Sequence, residues 1–300
     1  MRALFALAGL LVLILLCGAL LSFPIYELLQ PISDFRFHKV ISRVTSLSAL
    51  LLILAYVGYG KLFDRETLGY AGSGALAVRQ LLTGYLAGMI IMIAVAAALV
   101  LLGIHQVESD LEINPAAVAR IVLSALITGT LVGLFEETLF RGALLGGLLA
   151  KMKPLAAVLI SSTVYAAGHF LKYRELPAEV PITWTTGLEM IPGAFYRFGD
   201  PATLDAFLSL LAFGVLLSLI RLKNSAIYQC IGLHAGAVTA IKIINKITDY
   251  VPDTPRAFMV NPYDHMLGYL ALVWLLACIL IYYYRYIYSG AGIAGRQSGQ

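Results

Sequence analysis

The sequence predicts an all-α polytopic membrane protein, a bundle of about eight transmembrane helices. Three observations predict it. The 300 residues are 60% hydrophobic and 13% charged, with a mean hydropathy of +0.86, whereas a soluble domain carries about 25% charged residues. Apolar runs of membrane-spanning length, roughly 20 residues, recur along the chain. The ionisable groups that interrupt these runs are few and clustered, the usual pattern of functional charge in lipid.

The spans fall at roughly residues 3–23, 43–60, 80–104, 121–150, 154–171, 203–221, 225–245 and 266–288. In the first, Arg2 precedes an apolar core from Ala3 to Leu21. That core is long for a signal peptide and further spans follow it, so it reads as an uncleaved signal anchor. The fourth run is too long for one perpendicular crossing. Thirty residues make ~45 Å of helix against a hydrocarbon core of ~30 Å, so it must tilt, break or run past the surface. The fifth is barely long enough. Tyr282, Tyr283, Tyr284, Tyr286 and Tyr288 close the eighth as an interfacial aromatic belt. These spans form one transmembrane domain over residues 1–288, and residues 289–300, rich in Gly, Ser and Gln, form a flexible tail.

The connections carry less information. The longest, Lys172 to Asp200, holds Pro177, Pro181, Trp184, Pro192, Phe195 and Tyr196, and reads as an interfacial lid or a plain connector. The loop at 105–120 carries Glu108, Asp110 and Glu112. The short loops hold Lys151, Lys153, Arg221 and Lys223, which places both termini in the cytoplasm. A formal net charge of +4 with no basic stripe excludes a nucleic-acid partner. Cys17, Cys230 and Cys278 all lie inside apolar runs, which argues against a disulfide framework or a thiolate metal cage. No internal repeat of the inverted-transporter kind is present. His38, His105 and His265 fall in loops and receive no role.

The organising stretch is Gly133 to Gly142, which contains Glu136, Glu137 and Arg141; no other ionisable side chain occurs from Ile121 to Ala150. Charge at that depth costs ~2.5–3.5 kcal/mol per residue on insertion scales. On a helix Glu137 and Arg141 are four apart and pair, while Glu136 is rotated by about 100° and left pointing elsewhere. His169 ends the run that contains Tyr165, and His234 lies inside the seventh span. Counted from the nearest presumed cytoplasmic lysine, Glu136, His169 and His234 lie ~22, ~24 and ~16 Å deep. The expectation is that three helices bring one acid and two imidazoles to a common level. Gly142 with Gly146, and Gly232 with Gly236, supply the small-residue spacing that lets helices approach.

Glu136, Glu137 and Arg141, then Tyr165 with His169, then His234 resemble the three motifs of the CPBP family, the CAAX-protease and bacteriocin-processing (Abi) group of intramembrane glutamic endopeptidases. The resemblance covers residues 121–245 and implies a hydrolase in which Glu136 is the general base on a water, His169 positions or polarises that water, and His234 stabilises the oxyanion. Glu137 and Arg141 would be the supporting ion pair, and Tyr165 stands where the family usually has Phe. The family's third motif usually places Asn or Asp four residues after the His; here that position is Val238.

The implied substrate is a membrane-anchored or lipidated protein or peptide, the implied location a bacterial inner membrane, and no cofactor is required. Two other readings stay open at this stage. Glu136, His169 and His234 could ligate zinc for a metal-dependent intramembrane protease, or the chain could be a non-enzymatic scaffold or transporter in which the Glu–Arg pair is a helix clasp.

Overall fold

A computed structural model describes residues 2–59, 65–108, 114–177 and 179–288. The all-α membrane class is borne out: among the described residues six helices are long and apolar enough to cross a bilayer. In chain order the elements are α1 (Arg2–Leu29), α2 (Phe37–Tyr59), α3 (Gly74–Leu101), β1 (His105–Val107) and α4 (Pro115–Glu137). A π-helical segment (Thr138–Leu144) leads into α5 (Leu145–Leu149), then α6 (Pro154–Gly168), α7 (Thr186–Glu189), α8 (Leu204–Asn224), α9 (Tyr228–Ile247), β2 (Thr248–Tyr250) and α10 (Tyr269–Tyr282).

The six crossing candidates are Gly9–Leu29, α3, Pro115–Leu149, Pro201–Asn224, α9 and Tyr269–Tyr286. The expected second span, 43–60, reaches beyond the described residues, and the fifth, α6, has only 15. Asp110, Glu112 and the tail 289–300 also lie outside them. The over-long fourth run continues unbroken from Pro115 to Leu149, with a π-helical stretch inside it. Its start is set locally: Pro115 sits at the first helical position and Asn114 Oδ1 accepts from Ala117 N at 2.7 Å.

The chain divides into two compact units. The first, Met1–Phe63 with Ala167–Thr203, holds α1, α2 and α7. Gly18 lies so close to Thr45 that α1 and α2 pack with almost no side chain between them. Phe37, Ile41, Tyr173, Met190 and Ala194 form its buried cluster. The expected long connector is thus largely ordered here, with α7 seated on α1 through Gly187 and a 3-10 turn over Pro192–Gly199.

The second unit, Asp64–Ala166 with Leu204–Gln300, is built on α9. Gly232 and Gly236 on α9 bring it against the backbone of Leu81 and Tyr85 on α3, and Gly84 and Gly88 on α3 reciprocate. On the other side Gly129 and Gly133 of α4 rest on Ala235 and Ile231. Bare backbone at these crossings lets helices approach where the hydrophobic effect gives no drive for association. The core of the unit, including Met92, Val95, Leu99, Leu216, Leu217 and Leu233, fills the space between α3, α8, α9 and α10.

A short sheet corrects the loop reading of residues 105 and 248–250. β1 and β2 pair antiparallel, His105 opposite Tyr250. His105 is buried, its Nε2 donating to the His265 carbonyl at 2.8 Å and its Nδ1 lying 3.0 Å from Thr248 Oγ1, and Tyr250 stacks on His265 at 4.0 Å. A three-residue strand pairing across 143 positions has no local signature.

Candidate active site

Glu137 is the last residue of α4 and Arg141 follows within the π-helical segment; both side chains are wholly buried. Arg141 Nη1 donates to Glu137 Oε1 at 3.1 Å and Nη2 to the Gly214 carbonyl at 3.1 Å. The guanidinium carbon lies 4.4 Å from the centre of the Tyr165 ring, a cation–π contact in a desolvated setting. Gly214 permits this, since a Cβ there would come within 3.0 Å of Ser162 and 3.2 Å of Tyr165. The pairing expected from the four-residue spacing is present, although the local helix is wider than α. Single π turns inside α-helices recur at functional sites.

His234 of α9 joins the same group. Its Nδ1 lies 2.8 Å from Glu137 Oε1, and a carboxylate can only accept, so Nδ1 carries the proton of that bond. Nε2 then faces Glu136, 3.8 Å from Oε2, which is beyond direct hydrogen-bond length. The ring is held edge-on by Tyr165 at 6.0 Å and Phe213 at 5.5 Å. Adjacent carboxylates on one helix therefore address the two nitrogens of one imidazole. Glu137, locked by Arg141, fixes the tautomer and orientation, while the half-buried Glu136 faces the other nitrogen.

Residues 117–240, which carry this geometry, match the model of one protein family, described as type II CAAX prenyl endopeptidase Rce1-like, which is the CPBP family. The likeness covers 124 of the 300 residues. It runs from the start of α4 to the second half of α9 and takes in Glu136, Glu137, Arg141, Tyr165, His169 and His234. No curated protein and no solved structure matches the chain. The CPBP match supports a membrane protease acting on a peptide substrate.

Within the matched segment the structure gathers Glu136, Glu137, Arg141, Tyr165 and His234 in the second unit. His169 belongs to the first unit. It directly follows the end of α6 at Gly168 and is exposed. A fifth helix of 15 residues ends one residue too soon to hold it. Among the described residues no group of three or more His, Cys, Asp or Glu side chains is arranged to hold a metal ion.

Two contributions were not foreseen from sequence. Glu137 serves both Arg141 and His234, whereas the spacing suggested Arg141 alone. The second is a short strap at residues 66–70. Arg221 Nη2 donates to the Thr67 carbonyl at 3.1 Å, Tyr228 Oη donates to the Tyr70 carbonyl at 3.0 Å, and Tyr70 Oη lies 2.5 Å from Thr138 Oγ1. Thr138 Oγ1 in turn donates to the Leu134 carbonyl at 2.6 Å. Gly142 and Gly146, expected to bring helices together, instead admit the strap backbone at Leu68 and Thr67. Burial raises the Tyr70 hydroxyl above its usual range, and because Thr138 Oγ1 gives its proton to Leu134, Tyr70 is the donor between them. The strap is thus pinned to the first residue after the paired carboxylates.

Proposed function

We propose that this protein is an intramembrane endopeptidase that hydrolyses a peptide bond in a membrane-anchored or lipidated protein or peptide through a glutamate-activated water. The observation that carries the reading is Glu136 standing 3.8 Å from the imidazole that Glu137 and Arg141 hold in place. A water hydrogen-bonded to Glu136 loses its proton to that carboxylate as its oxygen attacks the scissile carbonyl carbon. Negative charge then develops on the carbonyl oxygen. His234 Nε2 donates to it, and because Nδ1–H is committed to Glu137, it does so as the imidazolium. Glu136 returns its proton to the leaving nitrogen, the C–N bond breaks, and a carboxylate and an amine leave. Fixed donors in a site shielded from water stabilise such an oxyanion most effectively.

His169 is assigned to positioning or polarising the water on the strength of its motif alone. The site needs no cofactor. The setting is a bacterial inner membrane with both termini cytoplasmic, and the partners are the bilayer and the anchored substrate.

The test compares cells expressing wild type and Glu136→Gln, following uncleaved membrane-anchored proteins by mass spectrometry. The proposal expects those substrates to accumulate in Glu136→Gln and the variant to be made at normal level. Indistinguishable profiles would leave the scaffold reading standing. Repeating the cleavage after chelator treatment separates glutamate from zinc chemistry: activity that vanishes and returns with zinc contradicts the glutamate mechanism.

A further inference from the structure

α4 and α9 run antiparallel and touch through backbone at Gly129, Gly133, Ile231 and Ala235. On one flank of that line of contact lie Glu136, Val132 and Thr128 on α4, and His234, Val238 and Lys242 on α9, each set at four-residue steps that keep a constant angle to the seam. Two rungs cross it. At one end Glu136 Oε2 faces His234 Nε2 at 3.8 Å; at the other Lys242 Nζ donates to Thr128 Oγ1 at 2.9 Å. All six positions except the buried His234 are half-buried, so the flank is neither core nor fully open surface. The two valines make its middle apolar.

Lys242 is the anomaly. It lies within a helix apolar enough to span the bilayer, where an ionisable group usually pairs and marks a substrate path. Among the described residues no carboxylate lies within ion-pair distance of it, and the threonine hydroxyl leaves two of its three protons for another acceptor. Eight residues of helix separate the rungs, about 12 Å at 1.5 Å per residue. An extended peptide covers that span in roughly three to four residues at ~3.3 Å each.

We propose that Lys242, oriented by Thr128, is a specificity-determining subsite that binds a carboxylate of the substrate peptide about 12 Å from the bond presented to Glu136. This rests on the protease reading of the Glu136 end. The peptide lies along the α4–α9 seam, with apolar side chains on Val132 and Val238 and its carboxylate at the ammonium. Val238, where the related family usually has a polar residue, then serves as part of an apolar floor.

The experiment uses the purified full chain in neutral-lipid vesicles and a library of N-acylated nonapeptides made in three forms: free acid, C-terminal carboxamide, and carboxamide with aspartate as last residue. Wild type is expected to cleave the free acid at least ~10-fold better in kcat/KM than the carboxamide, chiefly through KM, as for a lost charged contact. Lys242→Met is expected to erase that ratio and Lys242→Arg to restore most of it. Recovery in the aspartate form assigns the carboxylate to a side chain; no recovery assigns it to the chain terminus. Equal cleavage of acid and carboxamide by wild type, or a ratio preserved in Lys242→Met, overturns the subsite. Binding of uncleaved free acid and carboxamide to Glu136→Gln, with and without Lys242→Met, is read by fluorescence anisotropy. Acid-selective binding that depends on Lys242, without any turnover by wild type, overturns the protease reading and not the subsite.

Discussion

Replacing Arg141 with Met tests whether the buried ion pair holds the site together. Four interactions disappear, the weakest a cation–π contact with Phe140 at 6.0 Å. The Gly214 carbonyl loses the Nη2 donor but still accepts from Ser218 Oγ at 2.8 Å, so little is left unsatisfied there. The cation–π contact with Tyr165 is worth ~0.5–2 kcal/mol. The largest loss falls on Glu137, a fully buried carboxylate deprived of its cation; breaking a buried pair this way costs ~3–5 kcal/mol. Glu137 keeps the hydrogen bond from His234 Nδ1, which points to the lower part of that range. Such a loss is large against a total stability of ~5–15 kcal/mol.

The assay is a double-mutant cycle of Arg141→Met, Glu137→Gln and the pair, read as apparent Tm and yield of monodisperse protein in detergent. Glutamine at 137 still offers an oxygen to His234. Each single variant is expected to fall by several degrees, and the double variant to recover most of the loss, because two uncompensated polar problems cancel. Additive losses, or normal yield and Tm in Arg141→Met, would refute the reasoning.

The other expectations concern separate parts of the molecule. Gly133→Val places a Cβ within 2.8 Å of the Ile231 carbonyl and 2.9 Å of Ala235 N, so it should prevent α4 from seating on α9 and sharply reduce folded yield, whereas Gly147→Ala, with open space around it, should not. Tyr70→Phe should cost ~0.5–1.5 kcal/mol for the lost Thr138 bond, measured as Tm, and reduce cleavage more than stability if the strap sets the carboxylates. Asp264 has its carboxyl raised by burial. The sign follows: its folded state favours the protonated form, so stability from this group is present at low pH and is lost as pH rises through the folded-state value. Asp264→Asn keeps an oxygen for Met266 N and Leu267 N. It should therefore raise Tm at neutral pH, with the gain vanishing on acidification.

What the sequence revealed about the site was local, and what it missed was long-range. The pairing of Glu137 with Arg141 follows from four-residue spacing on one helix, and the separation of Glu136 from that pair follows from the roughly 100° step between neighbours. The π-helical turn between them changes the pitch by too little to break either inference, and no residue from Thr138 to Leu144 signals it. His234 as a partner of Glu137 is a contact across 97 positions. It depends on Gly129 and Gly133 meeting α9, glycines that sequence alone does not distinguish from ordinary membrane glycines. His169 stands one residue beyond α6, which ends at Gly168, and a residue count from Lys153 gives no sign of that end. Lys242, eight residues beyond His234, attracted no notice in the linear pattern; its place on the Glu136 flank emerges only once α4 and α9 are set in register.

The division of labour between adjacent carboxylates is the core of this account, and one paired measurement tests it most directly: cleavage of a membrane-tethered reporter per mole of folded protein, for Glu136→Gln beside Glu137→Gln. Glu136→Gln should retain the wild-type Tm and lose cleavage by ~10²-fold or more, the scale of a general base, while Glu137→Gln should lose Tm first and keep measurable turnover. Wild-type turnover in Glu136→Gln would contradict the account outright.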